Sequence, residues 1–151
     1  GKLFVVSTTD QVYVIDEPTE KIEKVYNLKG AKGAISIAYA PEEKLLFVVS
    51  QGTDNLQILD ATDGKLKADV KVGAGPLAVV WEPVRKLAYV ANRGSDSVAV
   101  VDVNGNLVAN LPGGSYANHV FTDGKGTVWS VNKARGLNDP QGDHISRYAA
   151  K

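Results

Sequence analysis

The sequence repeats itself about every forty residues, and this constrains the fold more than any other feature. An apolar segment with the letters LFVVS in its first two copies recurs at steps of 43, 42 and 40 residues. Its copies lie at 3–7, 46–50, 88–92 and 128–132. Two further apolar columns flank it, at 12–16, 56–60 and 98–102 and at 35–40, 77–82 and 117–122. Most of these segments are short, rich in Val, Ile and aromatics, and bounded by Gly, Pro, Asn or Asp, which is typical of β-strands.

The second copy is the most complete and contains four such segments. They lie at Ala34–Ala40, Leu45–Ser50, 56–60 and 65–72. The dipeptides Asp-Gly and Asn-Gly, which favour tight hairpin turns, stand between segments at 63–64, 104–105 and 123–124. A repeat of about 40–45 residues with four short strands is typical of a β-propeller blade. We therefore predict an all-β propeller of four-stranded antiparallel blades, since a β-sandwich lacks this self-similarity and helical repeats need another apolar spacing.

The segment Tyr89-Val90-Ala91-Asn92 is followed by a Gly/Ser/Asp turn and by an apolar strand ending at Asp102. This order resembles the YVTN repeat, and the layout is similar to YncE-like periplasmic proteins. The resemblance covers nearly the whole chain in four copies, although the first copy ends in Ser7 rather than Asn. It implies a seven-bladed ring and a periplasmic or extracellular location.

The strands of 151 residues fill about 3.5 blades of such a ring. We predict one partial propeller domain with no second domain, its blades at 1–33 (partial), 34–76, 77–116 and 117–151 (partial), and strands grouped as 3, 4, 4 and 3. The chain is then expected to be the C-terminal half of a longer protein. Its expected partner is the missing N-terminal half of the propeller or a second copy of the chain, because bare sheet edges aggregate unless paired.

Composition excludes several function classes. The chain has 17 Lys and Arg against 17 Asp and Glu, so its formal net charge of zero makes nucleic acid an unlikely partner of this segment. The absence of Cys excludes disulfides and cysteine nucleophiles. No apolar run is long enough to span a membrane. Sequence motifs of serine hydrolases, zinc proteases and P-loop proteins are also missing, and no cofactor is predicted.

These observations favour a non-enzymatic extracytoplasmic scaffold that binds a ligand or a partner protein through loops on one face of the ring. One alternative is an enzyme or enzyme subunit, since propellers resembling this one serve as lactonases or beside redox cofactors. The other alternative is a structural repeat protein of the cell surface or envelope. Fold alone does not choose among them.

The loops between second and third strands are predicted to share the ligand-binding face. They lie at 8–11, 51–55, 93–97 and 133–143. The last is the longest, and long loops on a rigid scaffold concentrate function, although the alternative is a packing or disordered loop. Its residues Lys133 and Arg135, together with Arg93 of the preceding loop, could attract an anionic group or could simply be solvated surface charges.

His119 is predicted to stand in register with Ile37 and Val79, in the strand nearest the ring axis, with Asn118 on the other side of the strand. A titratable side chain there could line the channel as a ligand or proton donor, or it could be a buried structural histidine. His144 is predicted to begin the last strand as a further ligand candidate. We predict no metal site, with Asp139, Asp143 and His144 as weak candidates of unspecific spacing.

Three aspartates, Asp16, Asp60 and Asp102, recur with the repeat itself at the ends of strands. Because their spacing is the period of the fold, we predict that they cap turns rather than perform acid–base chemistry.

Overall fold

The computed structural model describes residues 1–149, and it places them in fourteen β-strands. The strands are β1 (Lys2–Ser7), β2 (Gln11–Asp16), β3 (Lys21–Asn27), β4 (Ala34–Ala40), β5 (Leu45–Ser50), β6 (Asn55–Asp60), β7 (Leu66–Lys71), β8 (Pro76–Glu82), β9 (Leu87–Asn92), β10 (Ser97–Asp102), β11 (Leu107–Pro112), β12 (Ala117–Thr122), β13 (Thr127–Asn132) and β14 (Ile145–Ala149). That range holds no helix long and apolar enough to cross a lipid bilayer.

The strands form four antiparallel sheets in chain order. The first sheet is β1–β3, the second β4–β7, the third β8–β11 and the last β12–β14. Consecutive sheets pack against each other, and β4, β8 and β12, which open their sheets, lie side by side. The predicted all-β propeller blades and the grouping of strands as 3, 4, 4 and 3 are therefore confirmed.

The core lies between the sheets. Between the second and third sheets, Phe47 is fully buried and stacks on Trp81, with 5.1 Å between the ring centroids and 16° between their planes. The surrounding positions are Val, Ile, Leu and Ala on both sides, including Val49, Ile58 and Val90. Strands of this kind, apolar on both faces, form because each inner sheet is covered by a neighbour on either side.

The outer face of the first sheet, defined as the face turned away from the second sheet, is apolar. Strand pairing sets its side chains in two rows across the sheet: Leu3, Ile15 and Ile22, and Val5, Tyr13 and Val25. Leu3 is 54% exposed, whereas Leu46, which holds the same position in the second sheet, is fully buried against the first sheet. This face thus has the composition of an internal contact between sheets, and no other sheet of residues 1–149 covers it.

The outer face of the last sheet, turned away from the third sheet, is also largely apolar but carries two ionisable side chains. Its rows are His119, Val131 and Ile145, and Phe121, Trp129 and Arg147. Phe121 and Trp129 stack on each other within the sheet at 5.2 Å. Two ionisable side chains among six distinguish this surface from the wholly uncharged outer face of the first sheet.

The register of β12 differs by one residue from the sequence-based prediction. His119 was expected level with Ile37 and Val79, but the strand pairing sets it level with Ser36 and Ala78. Since side chains alternate along a strand, a shift of one residue moves each of them to the other face. The predicted register of His119 is therefore wrong, and the side of the sheet on which it lies changes with it.

A shorter hairpin explains this shift. The N–H of Asp123 donates to the carbonyl of Thr127 at 3.3 Å, which leaves three residues, 124–126, in the turn. The hairpin of the second sheet has four, 41–44. Counting back from the turn therefore misplaces every residue of β12, and Asn118 lies at the β-bulge that opens the strand rather than in the regular ladder.

The prediction for the strand-end aspartates is confirmed. Asp16 accepts the Thr19 hydroxyl at 2.7 Å, and Asp60 accepts the N–H of Thr62 at 2.8 Å. Asp102 accepts the backbone N–H and the side-chain amide of Asn106, both at 2.8 Å. These hydrogen bonds hold the pKa of each of the three carboxyls below its usual value. Each aspartate therefore organises the turn that follows its strand.

We expect Asp102 to make stability depend on acid. The hydrogen bonds from Asn106 lower the pKa of Asp102 in the folded chain, so its carboxylate stabilises the fold fully above about pH 4. That contribution is lost as the pH falls through the lowered pKa. In urea titrations, Asp102→Asn should therefore be less stable than wild type at pH 6, and the difference should vanish towards pH 2. A difference that stays constant between these values would contradict this prediction.

Candidate functional site

The candidate site lies at one end of the sheets, which we call the loop face. Because strands alternate in direction, the turns that join β1 to β2, β5 to β6, β9 to β10 and β13 to β14 lie at the same end as the connections that enter the next sheet. The turns occupy 8–10, 51–54, 93–96 and 133–144, and the connections occupy 28–33, 72–75 and 113–116. The turns at 41–44, 83–86 and 124–126 lie at the opposite end.

Three aspartates, which we call the latch aspartates, tie each sheet to the next on the loop face. Each ends its turn in the left-handed region, with φ of 60°, 51° and 53°. Its carboxylate accepts a backbone N–H at the start of the next sheet, from the first residue of its opening strand or the residue just before it. The pairs are Asp10 with Ala34 at 3.0 Å, Asp54 with Gly75 at 2.8 Å and Asp96 with Tyr116 at 2.8 Å. The loops of this face are therefore fixed to one another.

Tyr116 adopts a backbone conformation that ordinarily belongs to glycine. The residues before β4 and β8 are Gly33 and Gly75, with φ of 68° and 59°. Tyr116, before β12, has φ of 50°. A side chain in this region costs about 1–2 kcal/mol because its Cβ crowds the following carbonyl. Such strain persists where surrounding contacts hold it, and it marks a candidate for function.

Two guanidinium groups lie over the ring of Tyr116. The guanidinium carbons of Arg93 and Arg135 are 4.7 and 4.8 Å from the ring centroid, within the range of cation–π attraction. Arg135 also pairs with Asp96 through a charge-assisted hydrogen bond, which raises the pKa of the guanidinium above its usual value. We call Arg93, Tyr116 and Arg135 the arginine–tyrosine cluster.

The long loop that carries Arg135 begins beside this cluster. The N–H of Lys133 donates to the carbonyl of Tyr116 at 3.2 Å, and the Lys133 side chain is exposed. The next residue, Ala134, stands where the second and third sheets have Gly52 and Gly94, whose N–H groups reach the preceding connection. A Cβ at either glycine would lie 2.9 Å from a carbonyl oxygen of that connection, so the methyl of Ala134 prevents the same close approach.

The loop instead folds on itself. The N–H of Ala134 donates to Asp143 at 3.1 Å, and the N–H of Arg135 donates to Asp139 at 2.9 Å. Asn132, which ends β13, binds the carbonyl of Gln141 through its side-chain amide and accepts the N–H of His144 at 2.9 Å. These contacts hold the loop as an ordered structure, which the sequence left undecided.

The structure brings together Arg93, Arg135 and the backbone of Lys133, but it places the other candidates elsewhere. His119 is exposed on the outer face of the last sheet, with Nδ1 3.0 Å from the carbonyl of Asn118, so its interpretation as a buried histidine is wrong. Asn118 is half-buried at the bulge. His144 precedes the last strand, which begins at Ile145, and its Nε2 lies 3.1 Å from a carbonyl of the loop. Ligand binding by these three stays a prediction.

The weak metal candidates are engaged within the loop. Asp139 accepts the N–H groups of Arg135 and Gln141, which hold the pKa of its carboxyl below the usual value. Asp143, with φ of 54°, ends its turn like the latch aspartates, but its carboxylate accepts Ala134 of the same loop. Within residues 1–149, no three carboxylate or histidine side chains are arranged to hold a metal ion.

Two features of this site, the latch aspartates and Tyr116, were not predicted from the sequence, although the sequence contains a pattern that indicates each. An aspartate stands directly before β2, β6 and β10 and two residues before β14, at positions 10, 54, 96 and 143, and only the last of these was singled out. Tyr116 aligns with Gly33 and Gly75 once the repeat is anchored on the strand starts. An aromatic residue in a position otherwise held by glycine indicates a departure from the repeat that packing alone does not require.

Comparison with known proteins supports the fold. No protein-family model matches the sequence, and no curated protein matches it. Among solved structures, the chain is similar to hydrazine synthase from Kuenenia stuttgartiensis, with a TM-score of 0.86 and 19% sequence identity. The match covers 98% of this chain and 42% of that one, so the chain spans less than half the length of its structural neighbour. At this identity the likeness shows the fold alone.

Proposed function

We propose that this chain is part of a YVTN-type, extracytoplasmic propeller scaffold that is not an enzyme and binds an anionic ligand or partner surface through its loop face. The arginine–tyrosine cluster carries the proposal, because it puts two guanidinium groups and an aromatic ring on one face at the cost of backbone strain at Tyr116. Aromatic and arginine side chains are also the residues that contribute most often to binding energy at protein interfaces.

The charge distribution supports an anionic partner. The chain as a whole is neutral, yet Arg93, Lys133 and Arg135 expose three cations on this face. Of these, only Arg135 forms an ion pair with a carboxylate of residues 1–149. Cations that lack an internal counter-ion raise the local concentration of anions and speed their association.

The rigidity of the loop face supports binding rather than mere surface charge. The latch aspartates hold the start of each following sheet to the turn before it, and the long loop is closed by its own hydrogen bonds. Side chains on such a scaffold lose little conformational freedom on binding, which raises affinity for a partner of matching shape.

An enzyme-subunit role is the second candidate, and one observation favours it. The solved structure to which this chain is similar is named as a synthase. Because that likeness extends to the fold alone, the residues of this chain would have to supply the evidence for catalysis, and the cluster described above is suited to binding.

Charge reversal on the loop face tests the proposed function. The triple variant Arg93→Glu, Lys133→Glu and Arg135→Glu should weaken binding of a fluorescent hexaglutamate peptide at least tenfold, because three favourable contacts become repulsive. The control is Lys44→Glu, Lys86→Glu and Lys125→Glu, which reverses three exposed lysines at the opposite end and gives the same net charge. Binding is measured by fluorescence anisotropy at about 0.15 M ionic strength, where the Debye length is about 8 Å.

The control variant should keep its affinity for the peptide within about threefold of wild type, since screening weakens charges beyond roughly one Debye length. Equal losses in both variants would mean that only net charge matters, and the loop face would then have no special role. Unchanged affinity in the loop-face variant would overturn the proposal as well.

A further inference from the structure

The position of Tyr116 is not explained by packing of the fold. The same connection in the two earlier sheets uses Gly33 and Gly75, whose carbonyls accept the N–H of the following turn just as the Tyr116 carbonyl does. The fold therefore forms without a side chain here. What the tyrosine adds is a ring that lies under the guanidinium groups of Arg93 and Arg135.

The two guanidinium groups share this ring but differ in their partners. Arg135 pairs with the carboxylate of Asp96, whereas Arg93 has no ion pair within residues 1–149. Each guanidinium can donate two parallel hydrogen bonds to an oxyanion, and a planar fork of this kind matches phosphate geometry. Two forks held on one ring can bind a group that carries two negative charges and at least three acceptor oxygens.

The two carboxylate oxygens of Asp96 have different hydrogen-bond partners. One oxygen, Oδ1, accepts the backbone N–H of Tyr116 at 2.8 Å and so belongs to the latch. The other oxygen, Oδ2, accepts from Arg135. An incoming anion can therefore replace Oδ2 on Arg135 without breaking the latch, and the loop face keeps its structure during the exchange.

We propose that Arg93 and Arg135 bind a dianionic phosphate group on the ring of Tyr116, and that Asp96 neutralises Arg135 when no phosphate is present. This assignment rests on the proposed function and names the chemistry that the loop face recognises. Asp96 acts as an internal competitor, so it sets how tightly the cluster holds phosphate. Tyr116 acts as the platform that keeps both guanidinium groups in place.

The test is titration calorimetry of the full chain with inorganic phosphate near pH 8, and with acetate at the same ionic strength. Phosphate should bind at least tenfold more tightly than acetate. Arg93→Ala and Arg135→Ala should each weaken phosphate binding about tenfold, and Arg135→Lys should give an intermediate loss because it keeps the charge without the fork. Asp96→Asn should strengthen binding several-fold because it removes the competing charge while retaining an acceptor for Tyr116.

Asp54→Asn is the matched control for Asp96→Asn. It alters the same latch in the preceding sheet, where no guanidinium takes part, so phosphate affinity should stay unchanged. Tyr116→Gly restores the residue type of the earlier repeats. It should weaken phosphate binding about tenfold, while the melting temperature stays the same or rises. If Tyr116 were purely structural, the variant should instead melt at a lower temperature and keep its phosphate affinity.

Phosphate binding no tighter than that of acetate, or unchanged in both arginine-to-alanine variants, would overturn the inference. So would an Asp96→Asn variant that melts like wild type yet binds phosphate no better. The loop-face charge reversal separates the two proposals. If it abolishes hexaglutamate binding while phosphate fails to bind wild type, the proposed function stands and the phosphate assignment falls. If neither probe binds, both fall.

Discussion

Phe47→Ala should lower the free energy of unfolding by about 3–5 kcal/mol, because it removes a fully buried ring from the core between the second and third sheets. The ring stacks on Trp81 at 5.1 Å, so the change also removes an aromatic pair. Sheets on both sides fix the surrounding backbone, and the cavity therefore cannot collapse. Urea unfolding followed by circular dichroism measures the loss.

Phe121→Ala is a matched control, since it removes the same ring from a similar stack. Phe121 stacks on Trp129 at 5.2 Å and 10°, but it is 45% exposed on the outer face of the last sheet. Its removal leaves no enclosed cavity, so the loss should be about 1 kcal/mol. Equal losses in the two variants would show that stacking, rather than burial, accounts for the contribution of Phe47.

Glu82→Ala should cost about 3 kcal/mol for a different reason. The Glu82 carboxylate is fully buried and accepts three backbone N–H groups, from Val84 at 3.1 Å, Arg85 at 2.8 Å and Gly126 at 3.0 Å. Removing it leaves these donors without their acceptor, and a buried donor left unsatisfied costs about 1–3 kcal/mol. Arg85 also donates to the carbonyl of Gly126, so this pair ties the third sheet to the β12–β13 hairpin.

Two observations make the Glu82 prediction specific. The second sheet has Ala40 in the same position, which shows that the strand itself accepts alanine. Glu42→Ala, in the exposed turn of that sheet, should change stability by less than about 0.5 kcal/mol. Hydrogen exchange should show faster exchange of the Gly126 amide in Glu82→Ala alone. An unchanged Gly126 amide would mean that Glu82 does not bridge the two sheets.

The architecture was predictable because the blades of a propeller recur along the sequence at a nearly constant spacing. Every inner sheet repeats the same apolar columns, such as Leu46 to Ser50, since each is covered on both sides by a sheet of its own kind. Turn residues predicted the strand boundaries to within one or two positions. The β6 strand, for example, begins at Asn55, one residue earlier than predicted.

The register of β12 was not predictable to the same precision. A turn with one residue fewer preserves the fold but shifts the alignment of β12 with β4 and β8 by one residue. Sequence similarity along an apolar strand is too weak to reveal this shift. His119 is the residue for which this mattered most. It was predicted either to line the channel or to be a buried structural histidine, whereas its actual position is exposed on an outer face.

The candidate site was only half predictable. Arg93, Lys133 and Arg135 could be chosen because the turns that carry them share one end of the sheets. Their assembly on Tyr116 could not, because it depends on a left-handed backbone conformation and on a long loop that folds back towards the preceding turn. Contacts made by side chains across loops leave no periodic signal in a sequence.

The two outer faces give the molecule a polarity along its row of sheets. The face with Leu3, Ile15 and Ile22 is of the kind that each later sheet turns towards its predecessor, while the face with Phe121 and Trp129 is of the kind turned towards a successor. A two-fold axis through either face would bring two copies of the same face into contact, which could not reproduce the contacts between neighbouring sheets. Association that copies those contacts is therefore heterologous, with one kind of face meeting the other.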